Sequence, residues 1–212
     1  MSKVSIEGNA SGTGTLTIAA PNTNSNYTLT LPSETGTIVT TGTTTGISAS
    51  AISTGTLAAA RLPAGTVLQV VQTVKTDTFS TTSTSKVDIT GMSVSITPTS
   101  ATSKILIIAT INYGGNDYNF YCDLLRGATV LNAPASGNNP CTISLCGIST
   151  TTYQILEGTI SYLDSPATTS STTYKLQIAC QSTGSFRLNR SARDGVNDSV
   201  CSSTITAMEI AA

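Results

Sequence analysis

Ile155-Leu156-Glu157-Gly158-Thr159-Ile160-Ser161-Tyr162 decides the fold. Ile155, Glu157, Thr159 and Ser161 fall on one side of an extended chain, and Leu156, Gly158, Ile160 and Tyr162 on the other. A period of two belongs to a strand with one face in water and one in a core. Met92, Val94 and Ile96 repeat the pattern. Ile105-Leu106-Ile107-Ile108 is apolar on both sides, which marks a central strand or one facing a neighbouring subunit. Working outward, strands are expected at Val67 to Lys75, Ser85 to Thr90, Met92 to Thr97, Lys104 to Asn112, Asn119 to Arg126, Thr142 to Ile148, Tyr153 to Leu163, Tyr174 to Cys180, Ser185 to Leu188 and Ser203 to Ile210. Turn signals separate them at the spacing of a sandwich or barrel, without βαβ alternation. The chain is therefore expected to be all-β, with residues 66–212 forming a C-terminal antiparallel β-sandwich of jelly-roll type.

Composition supports this reading. Serine and threonine make up about a third of the 212 residues, while charged residues are 10% and the net charge is −1. Disordered chains combine low hydrophobicity with high net charge, and this chain does neither. Threonine suits a pleated, half-exposed surface. A near-neutral balance excludes electrostatic capture of nucleic acid, and no apolar run reaches membrane-spanning length, so neither nucleic acid nor membrane insertion is expected. The residues after Met1 lack the apolar stretch of an export signal, so synthesis in a cytoplasm without a leader is expected.

Upstream, Gly12-Thr13-Gly14-Thr15-Leu16-Thr17-Ile18-Ala19-Ala20-Pro21 is answered by Tyr27-Thr28-Leu29-Thr30-Leu31-Pro32-Ser33. Leu16 and Ile18, then Tyr27, Leu29 and Leu31, recur at period two and give each segment one apolar face. A two-stranded unit of this size is marginal in water, so residues 1–42 are expected to be a small β module that needs copies of itself or a foreign surface. From Thr35 to Ala60 there is no charged residue. Ile47 and Ile52, set among small residues, are expected to point to a common axis in a short neck over residues 43–65, with a helical turn at Leu57 to Leu62 ended by Pro63.

Chemistry is thinly supplied. The chain has no histidine, and its five cysteines (Cys122, Cys141, Cys146, Cys180, Cys201) form no CxxC pair, so neither a metal nor another cofactor is expected. Cys122 and Cys180 lie in apolar runs and read as small core residues, whereas Cys141 and Cys146 lie closer to loops, where they could pair with each other or across subunits. Asp117, Asp123, Glu157 and Asp164 are carboxylates that could in principle meet to cleave a glycoside. No catalytic residue is assigned, and these acids are expected on the surface. Ligand contact is better supplied. Tyr113, Asn116, Asp117 and Tyr118 set aromatic rings beside amides and one acid, a combination suited to saccharide or protein. Asn138 and Asn139 sit in a long polar loop, and Arg190 and Arg193 lie in a polar stretch with Asn189, Asp194 and Asn197 that reads as solvated display with internal ion pairs.

The Gly-x-Gly-x-Leu-x-Ile-x-Ala-Pro and Tyr-x-Leu-x-Leu-Pro-Ser-x-x-Gly-Thr patterns resemble the module that begins many tailed-bacteriophage fibre and virion surface proteins, particularly those of marine phages. Arg61-Leu62-Pro63-Ala64-Gly65-Thr66-Val67-Leu68 is similar to the neck before the knob of such proteins. This resemblance implies a homotrimeric virion projection: a head fibre, capsid decoration or short tail fibre. Residues 1–42 would dock on capsid or tail proteins, and the knob would face outward to a bacterial surface glycan or protein. The residues also admit a capsid cement protein with a purely stabilising role and, less well, a surface glycan hydrolase.

Overall fold

A computed structural model describes residues 11–14, 24, 26, 61–147, 153–193, 195 and 197–212. Leu16, Ile18, Tyr27, Leu29, Leu31, Ile47 and Ile52 all lie outside the described residues, as does most of the expected module and neck. The chain divides into two units, Met1–Thr54 and Gly55–Ala212, and the strands described here all belong to the second.

Eleven strands are present among the described residues: β1 (Val67–Lys75), β2 (Phe79–Thr81), β3 (Val87–Ile96), β4 (Lys104–Gly115), β5 (Asn119–Arg126), β6 (Thr129–Leu131), β7 (Ile143–Cys146), β8 (Leu156–Asp164), β9 (Thr172–Cys180), β10 (Phe186–Leu188) and β11 (Ser203–Ile210). They form two antiparallel sheets packed face to face, a β-sandwich. In the first sheet, β4 pairs with β8 along one edge, and with β11 and then β10 along the other. β1 lies outside β11, and β2 outside β10. The second sheet runs β3, β9, β5, with β6 and β7 sharing the far edge of β5.

Three lines, two at edges and one inside the first sheet, are thus broken by excursions. β1 continues as β2 after residues 76–78, β10 resumes as β11 after residues 189–202, and β6 resumes as β7 after residues 132–142. With the breaks bridged, the chain is a long ribbon folded back on itself. β1 pairs with β11, β3 with β9, β4 with β8 and β5 with β7, and successive segments pass from sheet to sheet except at the β5–β6 hairpin.

The strands expected at Val67 to Lys75, Asn119 to Arg126 and Ser203 to Ile210 coincide with β1, β5 and β11. Ser85 to Thr90 and Met92 to Thr97 correspond to one strand instead of two. Gly91, at φ 85, makes a bulge inside β3, where the register to β9 shifts between Asp88 and Ser93. Glycine there is a local irregularity that the ladder absorbs. β2 and β6 were not expected from the pattern, because three residues are too few to show a period. Gly127 at φ 58 opens a two-residue hairpin between β5 and β6, a turn geometry in which glycine is favoured.

The core lies between the sheets. Inward residues include Met92, Val94 and Ile96 of β3, Ile105, Ile107, Ala109 and Ile111 of β4, and Tyr174, Leu176 and Ile178 of β9. Ile105 to Ile108 occupy the central strand β4, with alternate residues fully and half buried. Tyr113, Phe120 and Phe186 close one end of the core, with ring centroids 5.2 to 6.1 Å apart. At the other end, Arg126 donates to Asp164 at 2.8 and 2.9 Å and Tyr174 donates to Asp164 at 2.7 Å, joining β5, β9 and β8.

The two ends of the sandwich differ in what they carry. Gly65 N donates to Ala211 O at 2.8 Å and Ala211 N to Thr66 O at 2.9 Å, so the chain enters beside its own C-terminus. We call this the proximal end. The β2–β3, β4–β5 and β9–β10 connections lie at the opposite, distal end, where β7 ends and β8 begins.

Candidate ligand-contact surface at the distal end

The β4–β5 turn, residues 116–118, is tied to the β9–β10 turn, residues 181–185. Asp117 makes the knot. Its carboxylate accepts from Ser182 N at 2.7 Å, Ser182 Oγ at 2.7 Å and Tyr118 N at 2.8 Å. Burial raises the carboxyl, but these hydrogen bonds, with one from the Gly184 backbone, outweigh it and hold Asp117 below the usual carboxylate range. Asn116 accepts from Ser185 N at 2.6 Å, and Asn119 donates to Gln181 at 2.8 Å. The turns close tightly because Gly147 and Gly184 have no side chains. A Cβ at Gly147 would fall on the Asp117 carbonyl, and one at Gly184 would come within 2.5 Å of Asp117 Cβ.

This geometry sorts the expected contact residues. Tyr118 is 69% exposed at the tip of the turn, and Asn116 is exposed beside it. Tyr113 is 3% exposed: its ring belongs to the aromatic core cluster and its hydroxyl donates to Cys146 O at 3.1 Å. Asp117 is 2% exposed, with its oxygens used internally. Burial removes both from direct contact and makes Asp117 the group that positions Tyr118. Asn138 and Asn139 are exposed but sit in the 132–142 excursion at the side of the second sheet, where Asn139 donates to Tyr121 OH at 3.2 Å.

Arg190 and Arg193 belong to the 189–202 excursion. Arg190 bridges Val200 through its backbone. Arg193 stacks 4.2 Å above the Tyr153 ring and donates from Nε to Asp198 at 3.0 Å. Arg193 foremost, then Ser191 and the Gly195 backbone, hold the Asp198 carboxyl well below its ordinary value. The expected internal ion pairing is present at Arg193. Asn189 departs from the expected display, being fully buried with φ 60. Its amide donates to Lys75 O and Asp77 O, each at 2.9 Å, and accepts from Ser203 Oγ at 2.6 Å. It satisfies the backbone where the β1–β2 edge and the adjoining β10–β11 line of the first sheet both break.

The four carboxylates considered for glycoside cleavage lie apart. Asp117 is in the distal turn, and Asp123 pairs with Lys86 at 3.0 Å on the outer face of the second sheet. Glu157 is on the outer face of the first sheet, and Asp164 is held by Arg126 and Tyr174 at the proximal end. Asp117, Asp123 and Asp164 are buried, a correction to the expected surface positions. A near-neutral chain has few solvated charges, and its acids serve instead as acceptors at junctions.

All five cysteines are free thiols. Cys122 and Cys180 are buried, as expected, and burial foremost pushes Cys122 up to about 12. Cys146 is the last residue of β7 and Cys141 lies two residues before that strand begins, and the two are not bonded to each other. Among the described residues no group of three acidic, cysteine or histidine side chains could hold a metal ion, and no helix is long and apolar enough to cross a membrane.

The sequence pattern did not single out Ser182, Gly184, Gly147 or Tyr153. The Gly184-Ser185 and Cys146-Gly147 punctuation was the available signal, but which turns touch is a property of the topology. No protein-family model matches the chain, and the comparison with curated proteins returns no match.

Proposed function

We propose that this chain is a bacteriophage virion structural protein, a homotrimeric fibre or surface projection that is anchored through its N-terminal residues and contacts the host surface through the distal end of its sandwich without catalysis. The polarity of the sandwich carries this reading: the chain enters at residues 65–67 beside the C-terminus, and exposed Tyr118 stands at the opposite end. A tethered binding head needs that separation. The nested pairing of successive segments supports a jelly-roll reading of the sandwich, an architecture suited to viral and lectin-like surfaces. The resemblance of the opening module to tailed-phage fibre proteins supports the virion as the location. A ring flanked by Asn116, Asn119 and Gln181 suits a glycan or a protein epitope.

Gold-labelled antibody to the knob, applied to intact particles, tests location, and adsorption of particles carrying Tyr118→Ala tests contact. Label on capsid or tail together with weakened adsorption is expected. Normal adsorption by particles lacking the protein, with dissociation at lower temperature, would replace this reading with that of a cement protein. Release of reducing ends from host polysaccharide by the purified protein would overturn the non-catalytic part.

A further inference from the structure

We infer that the outer face of the first sheet is the surface through which the knob binds a second copy of this chain. The inference rests on the self-assembling projection proposed above and names the face that performs the assembly.

The register lines up Val70, Met208, Leu106 and Leu163 as direct cross-strand neighbours over β1, β11, β4 and β8. The result is an apolar row across the whole width of the sheet. The next row is Gln72, Thr206, Ile108 and Ser161, and the one beyond it Val74, Thr204, Thr110 and Thr159. Val70, Val74 and Leu163 are 55%, 52% and 47% exposed. Among the described residues these three rows hold no ionisable side chain: Lys104 lies beyond one end of them and Glu157 beyond the other, followed on the distal side by Arg187 and by the 189–202 excursion, which packs over Gly114.

The outer face of the second sheet is built differently. It carries Asp88 bound to Lys175 and Gln177, each at 2.8 Å, and Asp123 paired with Lys86. One sandwich thus has one outer face crossed by ion pairs and one whose rows over β1, β11, β4 and β8 are uncharged and hold an apolar stripe. Edge strand β1 also lacks proline and outward charge, the usual guards against pairing.

Charge and area indicate the occupant. Uncharged rows of valines, threonines, leucines and methionine suit an uncharged surface of another copy of this near-neutral chain, whereas an acidic or basic partner would find no counter-charge in them. Four strands about 4.8 Å apart, over seven residues of about 3.4 Å, make roughly 450 Å² in projection before corrugation. A stable interface uses about 800 Å² per partner, so this face together with its rim is of the right order.

The test uses the full chain in analytical ultracentrifugation, with far-UV circular dichroism confirming the fold. The wild type is expected as an assembly, and V70K/L163K as the 21.6 kDa monomer with an unchanged spectrum, a three-fold fall in mass for a trimer. Thr159→Arg, a polar site on the same face, gives the same fall without touching the apolar row and guards against misfolding of the double variant. S95K/T173K on the other sheet remains assembled. If the wild type assembles and both V70K/L163K and Thr159→Arg keep its mass, the face is wrong while the assembling projection stands. A monomeric wild type, including one whose face is covered by its own N-terminal residues, overturns both.

Discussion

Replacing Asn189 by alanine tests whether one buried amide holds the broken edge of the first sheet. Asn189 sits at φ 60 with no exposure, and its side chain joins Lys75 O, Asp77 O and Ser203 Oγ at 2.6 to 2.9 Å. Alanine leaves a carbonyl in β1 and a hydroxyl in β11 buried without this partner, at about 1 to 1.5 kcal/mol each. The Asp77 carbonyl is only part-buried, so water replaces much of that bond. Alanine also adopts the left-handed region less readily than asparagine, by about 1 kcal/mol. The sum is about 3 to 4 kcal/mol, a large fraction of the ~5 to 15 kcal/mol that holds a domain together. With a urea slope of about 2 kcal/mol/M, the midpoint falls by roughly 1.5 to 2 M. Asn189→Gly removes the same hydrogen bonds without the dihedral penalty and lies about 1 kcal/mol above alanine. Equilibrium urea unfolding followed by circular dichroism measures both. If Asn189→Ala unfolds within about 0.5 M of wild type, well short of the shift set by the urea slope, the amide is not the clamp described here.

Three other junctions give testable outcomes. Burial raises the Glu209 carboxyl, but bonds from Gln69, Thr99 and Ser103 outweigh it and leave Glu209 below its ordinary 4.5. Its stabilisation is therefore complete above that unfolded value and is lost as pH falls through the lower folded value. Glu209→Gln should flatten the acid limb of the stability–pH curve, and an unchanged limb counts against this role. Because Cys122 is pushed up to about 12, its thiolate fraction at neutral pH is roughly 10³-fold below that of an ordinary thiol. A disulfide reagent should modify exposed Cys146 in the native protein and reach Cys122 and Cys180 only on unfolding, and mass spectrometry of the labelled peptides would expose the opposite order. Gly147→Ala should separate the distal turns, read as faster amide exchange at Tyr118 and Ser182 and a loss of about 2 kcal/mol, because the new methyl occupies the place of the Asp117 carbonyl. Unchanged exchange would mean the loops relax without cost.

The all-β character and most strands were legible because alternation is a property of adjacent residues, as in Leu156, Gly158, Ile160 and Tyr162, which are buried or half-buried in turn. The central place of Ile105 to Ile108 was legible for the same reason: apolar residues on both faces need cover on both. Tyr118 was visible as a candidate in a Gly-Asn-Asp turn. What the pattern could not assign was direction and partnership. Tyr113 and Tyr118 lie five residues apart with similar neighbours, yet one ring closes the core and the other stands in water, because the turn at Asp117 reverses the chain between them. Asn189 reads as loop polarity from its neighbours and proves to be a core bond-maker, since its partners Lys75, Asp77 and Ser203 are brought to it by the pairing of distant segments.

By itself, the sequence determined the material of this protein: threonine-rich strands, few charges, no histidine, and an apolar period that only a sheet can bury. Tertiary structure alone decided that the ribbon folds back on itself, that chain attachment and exposed Tyr118 lie at opposite ends, and that ion pairs cross one outer face while uncharged rows cross β1, β11, β4 and β8 on the other. Periodicity is set by bonds along the chain, whereas these features depend on which strands meet, and that is chosen by the burial of the whole sandwich at once.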